Sequence, residues 1–283
     1  MPKAKVISAN IHKYSVSLMC KLLKISRQTY YNYVNNKHRN KELLLDQIDC
    51  DVYRTFSSSR GSFGTRSIKS VLRRENIIYS RKTIAKSMIR QNLSSTYNKS
   101  RKPKVAKSNK DEIANLLKRN FKRRINEVLT SDLTYVNVNN QHQYVCFVID
   151  LYNSEIVGYS TSHQKTPTIL LSALNRMKIN LSNVDIFHTD RGGEFKNRVI
   201  DELLLRNNVK RSLSKAGTPA DNAVSESAFK TFKYAWNQHR KYNDELELQR
   251  DVEAYVNWYN NIRPHSRLEY QSPVEFRLRN VTK

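Results

Sequence analysis

Between residues 128 and 162 apolar side chains recur at alternate positions or run together, a period that belongs to strands. Three strands are predicted: residues 128–138, alternating toward Leu133, Tyr135 and Val136; residues 143–151, with an apolar run starting at Tyr144; and residues 155–162. Their short connections predict an antiparallel meander. The period then lengthens. Helices are expected at about 166–177 and 196–207, with a short apolar strand ending at Asp190 between them. A strand near 210–214 follows, and a long helix starts at Asn222.

Before residue 94 the spacing is helical. Ser15 can cap a helix that carries Val16, Met19, Leu22 and Leu23 inward, and after a turn at Ile25 a second cap, Ser26, opens another. This is a helix-turn-helix rhythm with Arg27, Gln28 and Thr29 at the start of a recognition helix, where side chains reach base edges. The first-turn glycine common in such motifs is absent, with Lys24 nearby, so a hairpin used only for packing stays open. A second module begins near Lys41 with Leu44, Ile48, Val52 and Phe56 spaced by four, then a loop over 57–64 and further helical segments around Ile68 and Met88. Arg66, Arg73, Arg74, Arg81, Lys82 and Lys86 would line its surface, as phosphate contacts rather than sequence readers. The expected layout is a helix-turn-helix module at 1–40, a second DNA-binding module at 41–93, a basic linker at 94–123 and a catalytic core with a helical tail at 124–283.

The order strand, strand, strand, helix, strand, helix, strand, helix is that of the ribonuclease-H-like fold. The expected class is therefore α/β, a mixed five-stranded sheet flanked by helices and preceded by all-α modules. Charge divides the chain at the same place. Residues 1–126 hold 30 Lys and Arg against 7 Asp and Glu, net +23, while residues 127–283 hold 20 against 18, net +2. So concentrated a positive field attracts a polyanion, and double-stranded DNA is the expected partner; a merely solubilising basic face is the alternative. No apolar run is long enough to span a bilayer and no signal-peptide core opens the chain, so a cytoplasmic, nucleoid-associated protein is expected. Cys20, Cys50 and Cys146 lie far apart and read as reduced thiols.

Asp132, Asp190 and Glu226 sit in contexts that read as one site. Spacing alone does not select them, because 35 residues separate Asp190 from Glu226 and also Asp185 from Asp221. Placement does. Asp190 ends a strand, while Asp185 begins it and Asp221 lies in a turn where it would cap a helix. The fold makes Asp132, on the first strand, a neighbour of Asp190. On the predicted long helix Glu226, Lys230, Lys233 and Asn237 form a polar stripe beside Phe229, Phe232 and Trp236. Lys230 is then a DNA contact and Lys233 a phosphate holder near the acids, against the plainer reading of a solvated Glu-to-Lys pair. Gathered carboxylates call for hard divalent cations, Mg²⁺ with Mn²⁺ as a substitute, and two ions would suit in-line phosphodiester displacement. Asp150, His188 and His265 are expected to be structural, and Tyr255, Trp258 and Tyr259 to be packing aromatics.

Five runs carry a resemblance over nearly the whole chain: TSDLTY at 130–135, VIDLY at 148–152 with Ile156 and Gly158, HTDRGGEF at 188–195, SKAGTPADNAVSESAF at 214–229, and YNNIRPHSRL at 259–268 with Ser272 and Pro273. They look like the OrfB-type transposases of the insertion sequence 3 family, DDE enzymes related to retroviral integrases. The resemblance implies that Asp132, Asp190 and Glu226 are the metal-binding catalytic acids and that Lys233 matches a basic residue following the glutamate. It implies binding of transposon ends and target, metal-dependent strand cleavage and strand transfer, a homo-oligomer on DNA, and division of labour with a smaller OrfA partner. Leu129 stands where the family often has tryptophan, and Glu269 where it usually has glycine. A catalytically weak DNA-binding regulator of transposition, or a plain ribonuclease-H-like nuclease, are the alternatives.

Overall fold

The computed structural model describes residues 2–35, 37–96, 114–117, 123–195, 197–214, 222–237 and 240–281. Helices α1 (Pro2–Asn10), α2 (Val16–Leu22) and α3 (Arg27–Val34) enclose a small core of Ala4, Ile7, Met19, Cys20 and Tyr30. Both expected caps form: the Ser15 and Ser26 hydroxyls accept from the N–H groups of Leu18 and Thr29. Lys24 itself takes the left-handed turn, at φ 51°. Leu22, expected inward, is 72% exposed. At about 100° per residue, Val16, Met19, Cys20 and Leu23 make one stripe, and Leu22 falls outside it.

Helix α4 (Lys37–Ser58) runs without a break across the expected boundary at 40/41 and buries Ile48 and Val52 while leaving Leu44 exposed. It packs with α5 (Thr65–Arg74) and α6 (Arg81–Arg90). The sheet comprises β1 (Val128–Val138), β2 (Gln141–Asp150), β3 (Ile156–Ser162), β4 (Ile186–Thr189) and β5 (Lys210–Leu213), in the order β3-β2-β1-β4-β5. The first three form the expected meander, β4 lies parallel to β1, and β5 lies parallel to β4. Helices α7 (Pro167–Asn175) and α8 (Arg198–Arg206) occupy the crossovers; α9 (Ala223–Thr231), α10 (Glu245–Asn261) and α11 (Pro273–Val281) follow. This is the ribonuclease-H-like arrangement.

Strand alternation assigns the two faces. Val145, Phe147 and Ile149 of β2, with Val136 and Val138 of β1, face a core containing Phe229, Phe232 and Tyr255. Cys146, Val148 and Leu129 face the opposite way, toward α7 and α8. The first core also takes in Ile48, Val52, Ile68, Leu72, Ile84 and Met88, so the second helical module and the half that carries the sheet share one apolar interior. Phe63 stacks on Trp258 at 5.7 Å. Arg60 lies 3.6 Å over the Trp236 ring, donates to the Trp236 carbonyl, and pairs with buried Asp251 at 2.8 Å. Arg74, expected on the free surface, instead donates to the carbonyls of Ile262 and Tyr270 and pairs with Glu275. An amphipathic stripe predicts that a face is buried without naming what covers it.

Of the expected linker, residues 114–117 belong to the core: Leu117 is buried with Val128 and Leu151, and the Leu116 N–H donates to Ser212. Its central part lies outside the described residues. No described helix is long and apolar enough to cross a membrane.

Candidate active site

Asp132 sits on β1 opposite Phe147 of β2, and Phe147 stacks on Phe229 of α9 at 4.7 Å. One strand contact therefore sets the height of α9 over the acid. Two residues before Asp132, on the same face, Thr130 donates to Asn222 Oδ1 at 2.9 Å and lies 3.1 Å from the Ser225 hydroxyl. Both partners are buried at the entry to α9, immediately before Glu226. From the other side the Tyr255 hydroxyl donates to the Ala228 carbonyl at 3.0 Å. Asp190 follows the end of β4, which pairs in parallel with β1 through Ser131 and Thr189. The sheet thus brings the first two acids side by side and the sheet-to-helix tether brings the third.

Electrostatics record their proximity. Burial, then the charges of Asp190, Glu226 and Glu194, push the Asp132 carboxyl up to about 7, against a weaker downward pull from the Leu133 N–H. Asp190 is raised mainly by burial and also by Glu194, while the Gly192 N–H donating to its Oδ1 at 2.9 Å works in the opposite direction. Glu226 is raised by desolvation. Among the described residues no three carboxylate, imidazole or thiol side chains close to the distances of metal ligands. The donor set of the three acids, all hard oxygen, fits Mg²⁺ or Mn²⁺.

A fourth acid was missed by sequence reasoning. Glu194 is buried, raises both Asp132 and Asp190, and pairs with Lys165 at 3.1 Å. Its signal was its place in the 188–195 run. Gly192 makes room for it, since a Cβ there would meet Glu194 Oε1 at 2.5 Å.

Lys233 lies 5.2 Å over the Tyr135 ring and feels Asp132, although burial lowers its pKa. The expected stripe continues only that far. The helix is shorter than expected: α9 gives way to a π-helical turn at Phe232–Trp236, and Asn237 donates to the Phe232 carbonyl. The wider turn shifts Asn237 off the α-helical spacing, a change no 3.6-residue period foretells. Lys230 is exposed on α9.

The other expected residues divide cleanly. Asp150 is buried and accepts from the N–H groups of Asn126 and Tyr152, a loop anchor. His188 pairs with Ser212 across β4 and β5. His265 packs edge-on to Tyr259 and is held well below its ordinary pKa by burial. Tyr255, Trp258 and Tyr259 are core aromatics. Asp185 is exposed and 3.6 Å from Arg124; Asp221 lies outside the described residues. Arg27 and Gln28 are exposed at the start of α3, and Thr29, half-buried, bonds the Ser26 cap. Arg66, Arg81 and Lys82 are exposed on α5 and α6, remote in sequence from the acids.

Two family models, both described as Integrase core domain, match residues 122–219 and 207–273. The chain is 27% identical over 277 residues to transposase InsF for insertion sequence IS3A of Escherichia coli K12, covering 95% of this chain and 96% of that protein. It is 29% identical over 273 residues to the insertion element IS600 uncharacterized 31 kDa protein of Shigella sonnei, covering 92% and 97%. Among solved structures, the HTLV-2 integrase catalytic core domain in complex with magnesium aligns at 14% identity and a TM-score of 0.39, over 53% of this chain and 95% of that one.

Proposed function

We propose that this chain is a transposase of the insertion sequence 3 family and that Asp132, Asp190 and Glu226 are its catalytic acids. The observation that carries the assignment is convergence: β1 holds Asp132 beside the end of β4 that leads to Asp190, and Thr130 of the same strand tethers the entry to α9, which carries Glu226. The acids would hold two Mg²⁺ ions, for which Mn²⁺ can substitute; when bound, such ions supply Lewis-acid activation of the attacking oxygen and neutralise charge on the leaving one. The chain's own groups align the substrate. Lys233, beside Asp132, holds a phosphate of the strand to be cut, and Lys230 a phosphate one helical turn away. Water first cleaves a phosphodiester to free a DNA 3′-hydroxyl. That oxygen then attacks a second phosphodiester, one P–O bond forming as another breaks.

The basic N-terminal modules bind the transposon ends, with Arg27, Gln28 and Thr29 presented to base edges and Arg66, Arg81 and Lys82 to phosphates. Two ends must be brought together, so the working form is a homo-oligomer on DNA in the cytoplasm. In the Asp190→Asn protein end binding should persist while Mg²⁺-dependent cleavage and joining fall by orders of magnitude. Undiminished cleavage overturns the assignment.

A further inference from the structure

Between the second helical module and the C-terminal tail lies a cleft of about 340 Å³, lined by Gly64, Arg66, Ser67, Arg263, Ser266 and Tyr270 among others. A second cleft, of about 490 Å³, shares Gly64, Arg66, Ser67 and Ser95 with it and extends to Arg81 on α6. The shared wall makes them one trough, with arginines from the neighbouring helices α5 and α6 and from the distant C-terminal tail. Among the described residues no carboxylate lines either part. A third cleft supplies the contrast: there Arg73, Arg74 and Arg279 gather with Glu269 and Glu275, and Arg74 is already paired with Glu275 at 2.8 Å.

The trough arginines are differently placed. Arg263 is held with its guanidinium 5.5 Å over the Tyr259 ring, and its backbone N–H donates to Trp258. Arg66 is exposed in the first turn of α5. Beside it Gly64 occupies the N-cap, contributes no capping side chain, and would place a Cβ in open space. A positive channel with serine walls, an open glycine and no carboxylate in its described lining suits a run of phosphodiesters, which guanidinium groups bind through paired N–H donors.

We propose that this trough seats the DNA backbone, so that Arg263 of the catalytic tail and Arg66 and Arg81 of the helical module grip one duplex. The inference rests on the end-binding reading above and adds to it a contact from the catalytic half, at Arg263. Such a contact ties the DNA held by the helical module to the half of the chain that carries the acids.

The test uses the full chain and a fluorescein-labelled duplex of arbitrary sequence, titrated by anisotropy at several salt concentrations. Arg263→Gln and Arg66→Gln should each weaken binding about tenfold at low salt and flatten the plot of log K against log salt by about one unit. Ser266→Asp changes an exposed side chain on the same wall and should weaken binding likewise, which guards against a folding defect at Arg263. Arg198→Gln, at an exposed arginine paired with Glu202 on α8, should change neither quantity. Failure of the wild-type chain to hold any duplex would sink the end-binding reading itself. Normal wild-type binding, with affinity and salt slope unmoved in both Arg263→Gln and Ser266→Asp, would overturn only the trough. Thermal protection by inorganic phosphate beyond chloride at equal ionic strength, with duplex affinity unmoved by Arg263→Gln, would assign a free-anion pocket and also overturn it.

Discussion

Replacing Asp132 by asparagine should stabilise the metal-free chain while removing its chemistry. A carboxyl of ordinary pKa 3.8 is here pushed up to about 7 by burial and by Asp190, Glu226 and Glu194. Between those values the folded chain keeps a proton that the unfolded chain releases, so stability falls as pH rises from about 4 to about 7 and stays lower above. Three units at 1.36 kcal/mol each come to about 4 kcal/mol. Partial exposure and relaxation reduce this to about 2 kcal/mol. Asparagine keeps an Oδ1 to accept the Leu133 N–H, a 2.8 Å bond, and has no charge to bury. Two kcal/mol corresponds to several degrees in Tm for a core of this size. In EDTA at pH 8 the Asp132→Asn protein should melt higher than wild type, and the gap should narrow at pH 5. Adding Mg²⁺ should raise the wild-type Tm and leave the variant where it was. Equal melting at both pH values, or a gap that widens in acid, would refute the account of Asp132 as a stressed carboxylate.

Three further outcomes follow from single contacts. Thr130→Val removes the donor to Asn222 and loosens the entry to α9; cleavage should slow about tenfold at unchanged DNA affinity, with a stability loss of about 1–2 kcal/mol. Arg60→Ala leaves buried Asp251 with Arg240 and Tyr242 as its side-chain donors among the described residues, and urea unfolding should show a loss of about 3 kcal/mol. Glu269→Gly relieves a left-handed backbone at φ 54° and should raise stability by up to about 1 kcal/mol, read as a higher Tm.

The strands were legible because each has a period of two and a face, and the meander followed from its short turns. Asp132 and Asp190 were legible for the same reason, since strand order alone makes them neighbours. Glu226 was expected beside them from its run and its helix, but the π-helical turn after Thr231, where Phe232 and Trp236 pack on Tyr255, has no signature in a 3.6-residue period. Glu194 escaped as a site residue because only the folded loop turns it toward two other acids. Arg74 was misread for a related reason: its partners, Ile262, Tyr270 and Glu275, lie in the tail, and sequence spacing does not report contacts over such separations. Leu22 was a plainer error of phase.

The two cores at the N-terminal end differ in ownership, and this bears on how end recognition can be exchanged between relatives. Helices α1–α3 keep their apolar residues to themselves, whereas α4–α6 lend theirs to the interior that supports α9 and α10. A chimera joined near residue 36 would transplant a self-contained helical unit. One joined at residue 93 would carry away Phe63, Arg60 and the upholstery they lay against Trp236 and Trp258, and the graft would have to rebuild the bed beneath the helix that carries Glu226.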